Sequence, residues 1–191
     1  MKKILIFITV LFYSNVGISQ TKNDVIDYKN INIDLLNRLI IEKVGHIRDS
    51  LNLSKSIYDE TLLNITKFQN DYISTYDILT HGNNLKIKNK SLNSLMERIK
   101  VFNPNKKCVA CFEISTCFPY MPTRNDMTYE YVSFLMVDAY MSSLFHRAAL
   151  IIDGDSETSF NVRINFKTSL NPNSKKLYNT GVIFVESNNK N

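Results

Sequence analysis

Apolar positions along this chain recur with two periods, and the switch between them divides the sequence into a helical part and a sheet part. From Asp34, residues Leu36, Leu39, Ile40, Val44 and Ile47 recur every three or four positions, which predicts a helix capped by Asp34 and fading over Asp49–Asn52. A second helix is expected from Asp59–Glu60 with Leu62, Ile65, Phe68, Tyr72 and Tyr76 on one stripe, ending at the Gly- and Asn-rich turn Thr80–Asn84. A third is expected from Ser91 as cap through Leu92, Leu95, Met96 and Ile99, stopped by Asn103-Pro104-Asn105. Cys108 to Ile114 is short, apolar and rich in strand formers, and the two prolines between Pro119 and Arg124 mark a loop. A fourth helix after Asn125-Asp126 places Val132, Met136, Ala139, Ser143 and His146 on one face.

Toward the C-terminus the period becomes two. Phe160, Val162, Ile164 and Phe166 alternate with Asn161, Arg163, Asn165 and Lys167, and a polar turn over Leu170–Lys176 leads into a second strand, Leu177 to Glu186. Helices first and a hairpin last define an α+β domain with helices packed on an antiparallel sheet.

The N-terminus stands apart. Met1-Lys2-Lys3, the apolar run Ile4–Tyr13 and the small residues Gly17 and Ser19 have the layout of a secretory signal peptide cut before Gln20. A run of about ten residues is too short for a bilayer that needs about twenty, so no membrane span is expected. The chain therefore divides into a signal peptide (1–19), a polar lead-in (20–30) and one domain (31–188), secreted or periplasmic.

With 191 residues, 44% of them hydrophobic and 21% charged, the composition is that of a globular domain with a core of its own. The net charge of +5 falls to +3 without Lys2 and Lys3, and the densest basic cluster, Lys86, Lys88 and Lys90, lacks an aromatic platform. That argues against a nucleic-acid partner. Cys108, Cys111 and Cys117 are an odd set in a short stretch, consistent with one local disulfide and one remaining thiol.

Four residues stand out as candidate site chemistry. Glu113 lies in an apolar strand, where an ionised carboxylate is costly without a partner. Of the three histidines, His46 reads as a surface or packing residue, whereas His81 stands at a helix end and His146 on an inward helical face. Either of the latter could partner Glu113, forming a polar cluster able to hold a divalent metal such as zinc or a polar ligand group. Ser143, three residues before His146, is the one nucleophile in view, but no G-x-S-x-G elbow or oxyanion-hole signature accompanies it.

The segment Val137–Arg147 resembles the bacterial form of a motif of the CAP superfamily (cysteine-rich secretory protein, antigen 5, pathogenesis-related 1), which reads approximately v-x-a-W-m-x-S-p-g-H-R. Leu35-Leu36-Asn37 with Ile40 is similar to that family's first helix, and Tyr58-Asp59-Glu60 with Leu62 to the entry of its second. His81 takes the place of the first family histidine and Glu113 that of the glutamate in G-E-N-[IV]. Tyr140 stands where the Trp is usual, Leu144-Phe145 where Pro-Gly is, and Phe112 and Ile114 flank Glu113 in place of Gly and Asn.

This resemblance covers about residues 31 to 186. It implies a three-layer α-β-α sandwich with a central antiparallel sheet and a cleft built from His81, Glu113, Ser143 and His146. With no second glutamate at Ser143, divalent metal held by His81 and His146 would be weak, and no cofactor is required. The implied function is an exported module that binds a small molecule, a lipid or a protein; a hydrolase and an adhesive module with a vestigial cleft are the alternatives.

Overall fold

The computed structural model describes residues 20–82, 92–119, 127–153 and 160–187. The expected signal peptide, the cap Ser91, the basic cluster at 86–90, and the loop and helix start at 120–126 lie outside the described residues.

Helix α1 (Ile33–Ser50) buries Leu35, Leu36, Leu39, Ile40 and Val44 along one stripe. Its cap is Asn32 rather than Asp34: the Asn32 side chain accepts a hydrogen bond from the Leu35 amide, and Asp34 sits in the first turn. Strand β1 (Ile57–Tyr58) follows, then a 3₁₀ turn (Glu60–Leu62) capped by Asp59, then α2 (Leu63–Tyr76). Helix α3 (Leu95–Phe102) starts at Ser94, which forms a reciprocal capping box with Glu97; its buried residues are Arg98 and Ile99, while Met96 is exposed. Strand β2 (Ala110–Pro119) outruns the expected segment. The long fourth helix is two pieces, α4 (Tyr129–Ser142) and α5 (Leu144–Leu150), because Ser143 between them is extended at φ −90°, ψ 123°. Ala139 consequently faces solvent, and the buried stripe of α4 is Val132, Ser133, Met136, Val137 and Tyr140.

Strands β3 (Phe160–Asn171) and β4 (Lys176–Ser187) form the expected hairpin, registered Ile164 to Ile183 and Phe166 to Gly181. The sheet order is β1-β3-β4-β2. It is mixed rather than wholly antiparallel, since β1 lies parallel to β3. Two residues between helices carry no readable period, which is why the sequence pattern conceals this strand.

Alternation on β4 separates the layers. Leu177 and Ile183 face α1, α4 and α5, whereas Val182 and Phe184 pack with Leu62 and Ile65 beneath α2, and with Ile99 of α3. Helices thus cover both faces. Gly181 is required where it stands, because a Cβ there would lie 2.4 Å from Cε1 of the buried Phe166 ring. The lead-in is tied to the domain as well: Val25 bridges Thr128, and Ile26 is buried in the core.

Candidate functional site

The site lies at β2, an edge strand of the sheet. Glu113 projects from it toward α3, and its carboxylate is only 4% exposed. Its partner is Arg98, wholly buried, whose Nη2 donates to Glu113 Oε2. Arg98 Nη1 donates to the Leu92 carbonyl at 3.2 Å, and the guanidinium carbon stands 6.0 Å from the centre of the Phe68 ring. The main partner of Glu113 is thus this arginine and not one of the histidines expected from the sequence. The available signal was its position: three residues after Leu95 and beside Ile99, Arg98 falls within the apolar stripe of α3, where an unpaired charge is costly.

His81 follows α2, which ends at Asp77 in a left-handed conformation (φ 53°, ψ 42°). Asp77 accepts from the Tyr178 hydroxyl and from Lys176 Nζ, in that order the causes that hold its carboxyl below the usual range. Buried Gln69 donates to the Thr80 carbonyl and fixes the approach to His81. The His81 ring is 53% exposed, and its Nδ1 lies 3.3 Å from Glu113 Oε1.

His146 arrives from the other layer, within α5. Its ring centre is 5.9 Å from that of His81 and 5.6 Å from that of Tyr140, edge-on to both. Burial, then the nearby His81, lowers its pKa below the ordinary imidazole value. Tyr140, in the position of the family Trp, is fully buried and donates to the Asn179 side chain at 2.6 Å. The far end of α5 is held by buried Arg48, whose Nη1 donates to the carbonyls of Leu150 (2.8 Å) and Ile152 (2.9 Å).

His81, Glu113, Ser143 and His146 all line one cavity of about 880 Å³, with Phe112 on its wall and Phe145, 84% exposed, at its margin. His46 is exposed on α1 and does not line it. Among the described residues no hydrogen bond links Ser143 to His146, so the nucleophile–base contact a serine hydrolase uses is missing there. Glu113 is already neutralised by Arg98, and among the described residues no group of three or more His, Cys, Asp or Glu side chains is arranged to hold a metal.

The cysteines correct another expectation. Cys108, Cys111 and Cys117 are all free thiols, with no local disulfide. Cys117 lies six residues along β2 from Cys111, about 20 Å at strand rise, far beyond the roughly 7 Å that a disulfide tolerates between Cα atoms. Cys111 instead donates its S–H to Met96 of α3.

Helices on both faces of a mixed sheet, with two histidines from opposite layers meeting at an edge strand, make an α+β fold like that of SCP domains. Solved structures agree. An outer surface protein from Borrelia burgdorferi superposes with a TM-score of 0.59 at 17% identity, over 82% of this chain and 96% of its own. An extracellular protein containing a SCP domain from Bacillus anthracis gives 0.51 at 13% identity over 78% of this chain, which spans 40% of that protein's length. No family model matches the chain, and no curated protein does. Among the described residues no helix is long and apolar enough to cross a membrane.

Proposed function

We propose that the protein is an exported binding module whose cleft takes a small amphipathic molecule, its polar group against His81 and His146 and its apolar part along Phe112 and Phe145. The observation that carries this reading is the convergence of the two imidazoles and Glu113 on one open cavity. About 880 Å³ is in the range of cavities that hold drug- or lipid-sized molecules. Export is supported by the N-terminal pattern and by the two superposed proteins, one described as an outer surface protein and the other as extracellular.

The neutralised carboxylate matters here. With Arg98 closing its charge, the cleft offers imidazole nitrogens in a mostly apolar wall, which suits a hydroxyl or carboxyl head group better than a cation. Zinc bound by His81 and His146 alone would leave most of its coordination to water and would be weak.

Titration with an environment-sensitive fluorescent fatty acid tests the reading on wild type, a His81→Ala/His146→Ala double variant and Phe145→Ser. Saturable binding that both variants weaken by about tenfold or more, roughly 1.4 kcal/mol, is the expected result. Equal binding by all three proteins would refute it.

A further inference from the structure

Beside the cleft, the structure brings together sulfur atoms that the binding reading does not use. Cys111 lies on the same face of β2 as Glu113, two residues earlier, and lines the cavity. Its Sγ is 3.3 Å from Met96 Sδ on α3. Cys108, three residues before Cys111, packs against the same apolar cluster. Both cysteines are half-buried against the α2–α3 core and neither is oxidised, while Met96 opens the group to solvent. Two thiols and a thioether therefore meet around Cys111, contributed by the start of β2 and by a helix whose first turn is fixed by the Ser94–Glu97 capping box.

We propose that Cys108, Cys111 and Met96 form a binding site for a soft monovalent metal ion, Cu(I) or its analogue Ag(I). The donor set decides the class of ion. Thiolate and thioether sulfur favour Cu(I), whereas carboxylate and carbonyl oxygen favour Mg²⁺ and Ca²⁺. Structural zinc asks for four nitrogen, oxygen or thiolate ligands, and a methionine thioether does not serve it. Glu113, two residues along β2 from Cys111, is bound to Arg98, and Glu97, next to Met96, is held in the capping box with Ser94.

Binding exchanges the two S–H protons for two S–Cu bonds with no change in oxidation state, and the thioether donates a lone pair. The two thiol protons are released as the metal enters.

The test is an anaerobic titration of the purified, reduced protein with Cu(I) in competition with bicinchoninate. One Cu(I) per chain is expected, with proton release and ultraviolet thiolate-to-copper absorption. Cys111→Ser should weaken binding by more than about 100-fold, and Met96→Leu by about 10–100-fold, the range that outer-shell losses alone already reach. Met96→Leu is close in volume at an exposed position, so it keeps the fold and reads the thioether directly. Cys117→Ser and His81→Ala/His146→Ala should bind copper as wild type does, which separates this site from the cleft reading. Undiminished affinity in Cys111→Ser or Met96→Leu, zinc binding as tight as copper at these sulfurs, or copper-edge absorption showing fewer than three sulfur ligands would each overturn the assignment.

Discussion

Replacing Arg98 by methionine keeps a long, largely apolar stem in the α2–α3 core but removes the buried cation paired with Glu113, leaving the half-exposed His81 ring as its remaining ion-pair partner. The guanidinium is wholly buried and the carboxylate nearly so, so water cannot take over the lost contact without opening the packing of α3 on β2. Breaking a buried ion pair from one side costs about 3–5 kcal/mol. For a domain of this size, each kcal/mol shifts Tm by about 2–4 °C, so the expected fall is about 6–20 °C.

The sign of the pH dependence identifies the cause. Without Arg98, the buried Glu113 carboxyl is costly only in its charged form. The variant's deficit must therefore be small near pH 4 and grow as pH rises. Urea unfolding of wild type, Arg98→Met, Glu113→Gln and the double variant, between pH 4 and 8, measures both the size and the slope. In the double variant, the missing charge and the missing carboxylate should compensate, leaving it more stable than Arg98→Met at pH 8. A single-variant loss below about 1 kcal/mol, as an exposed pair gives, would refute the buried-pair reasoning.

Gly181→Ala should cost about 1–3 kcal/mol, the usual penalty for overpacking, because the added methyl meets the Phe166 ring; thermal unfolding checks it, and Phe166→Leu in the same chain should recover part of the loss. His146 is held neutral by burial and by His81, so its folded pKa lies below its unfolded one: stability is full above about pH 6.5 and falls as pH drops from there through the folded value. A His146→Gln variant should show a flatter profile across that window in denaturant titrations, and identical slopes would contradict the burial argument. N-terminal sequencing of protein from the host's periplasm or medium should read Gln20 first, and recovery of Met1 on that material would exclude cleavage.

The elements that pattern reasoning places well bury apolar side chains on one face. α1 and the β3–β4 hairpin are such cases. It misplaces elements that bury polar ones. The inner face of α2 includes Thr66, Gln69, Asn70 and Ser74, because it rests on sheet positions that are polar too: Thr66 hydroxyl donates to Asn165, and Asn171 donates to the Ser74 carbonyl. Counting apolar residues alone rotates the predicted stripe toward Phe68 and Tyr76, and Tyr76 is exposed. The break at Ser143 is hidden for a different reason. Neither Leu144 nor Phe145 disfavours a helix in the way that the family's Pro-Gly does, so only the packing of α5 against β2 decides it. His81, Glu113, Ser143 and His146, singled out in the sequence, line one cavity; Arg98 was not legible, because no motif position marks it.

That omission bears on how the cleft is built. His81 comes from the layer of α2 and His146 from the layer of α5, and the two meet only because both layers end at β2, the last strand of the sheet. Among the described residues, His81 meets Glu113 at a long 3.3 Å and no hydrogen bond holds His146, so their separation is set by the elements that carry them. One buried arginine serves each side: Arg98 locks the carboxylate that faces His81, and Arg48 fastens the last carbonyls of α5 to the end of α1. Both guanidiniums satisfy groups that would otherwise be buried without partners, which is a stability function. Glu113 lines the cleft, and the Arg48 contacts hold the end of the helix that carries His146, so both arginines act on the elements that set the separation of the imidazoles. A variant at either arginine should therefore change ligand affinity without touching the ligand, and the changes at the two should add, since they act on separate layers.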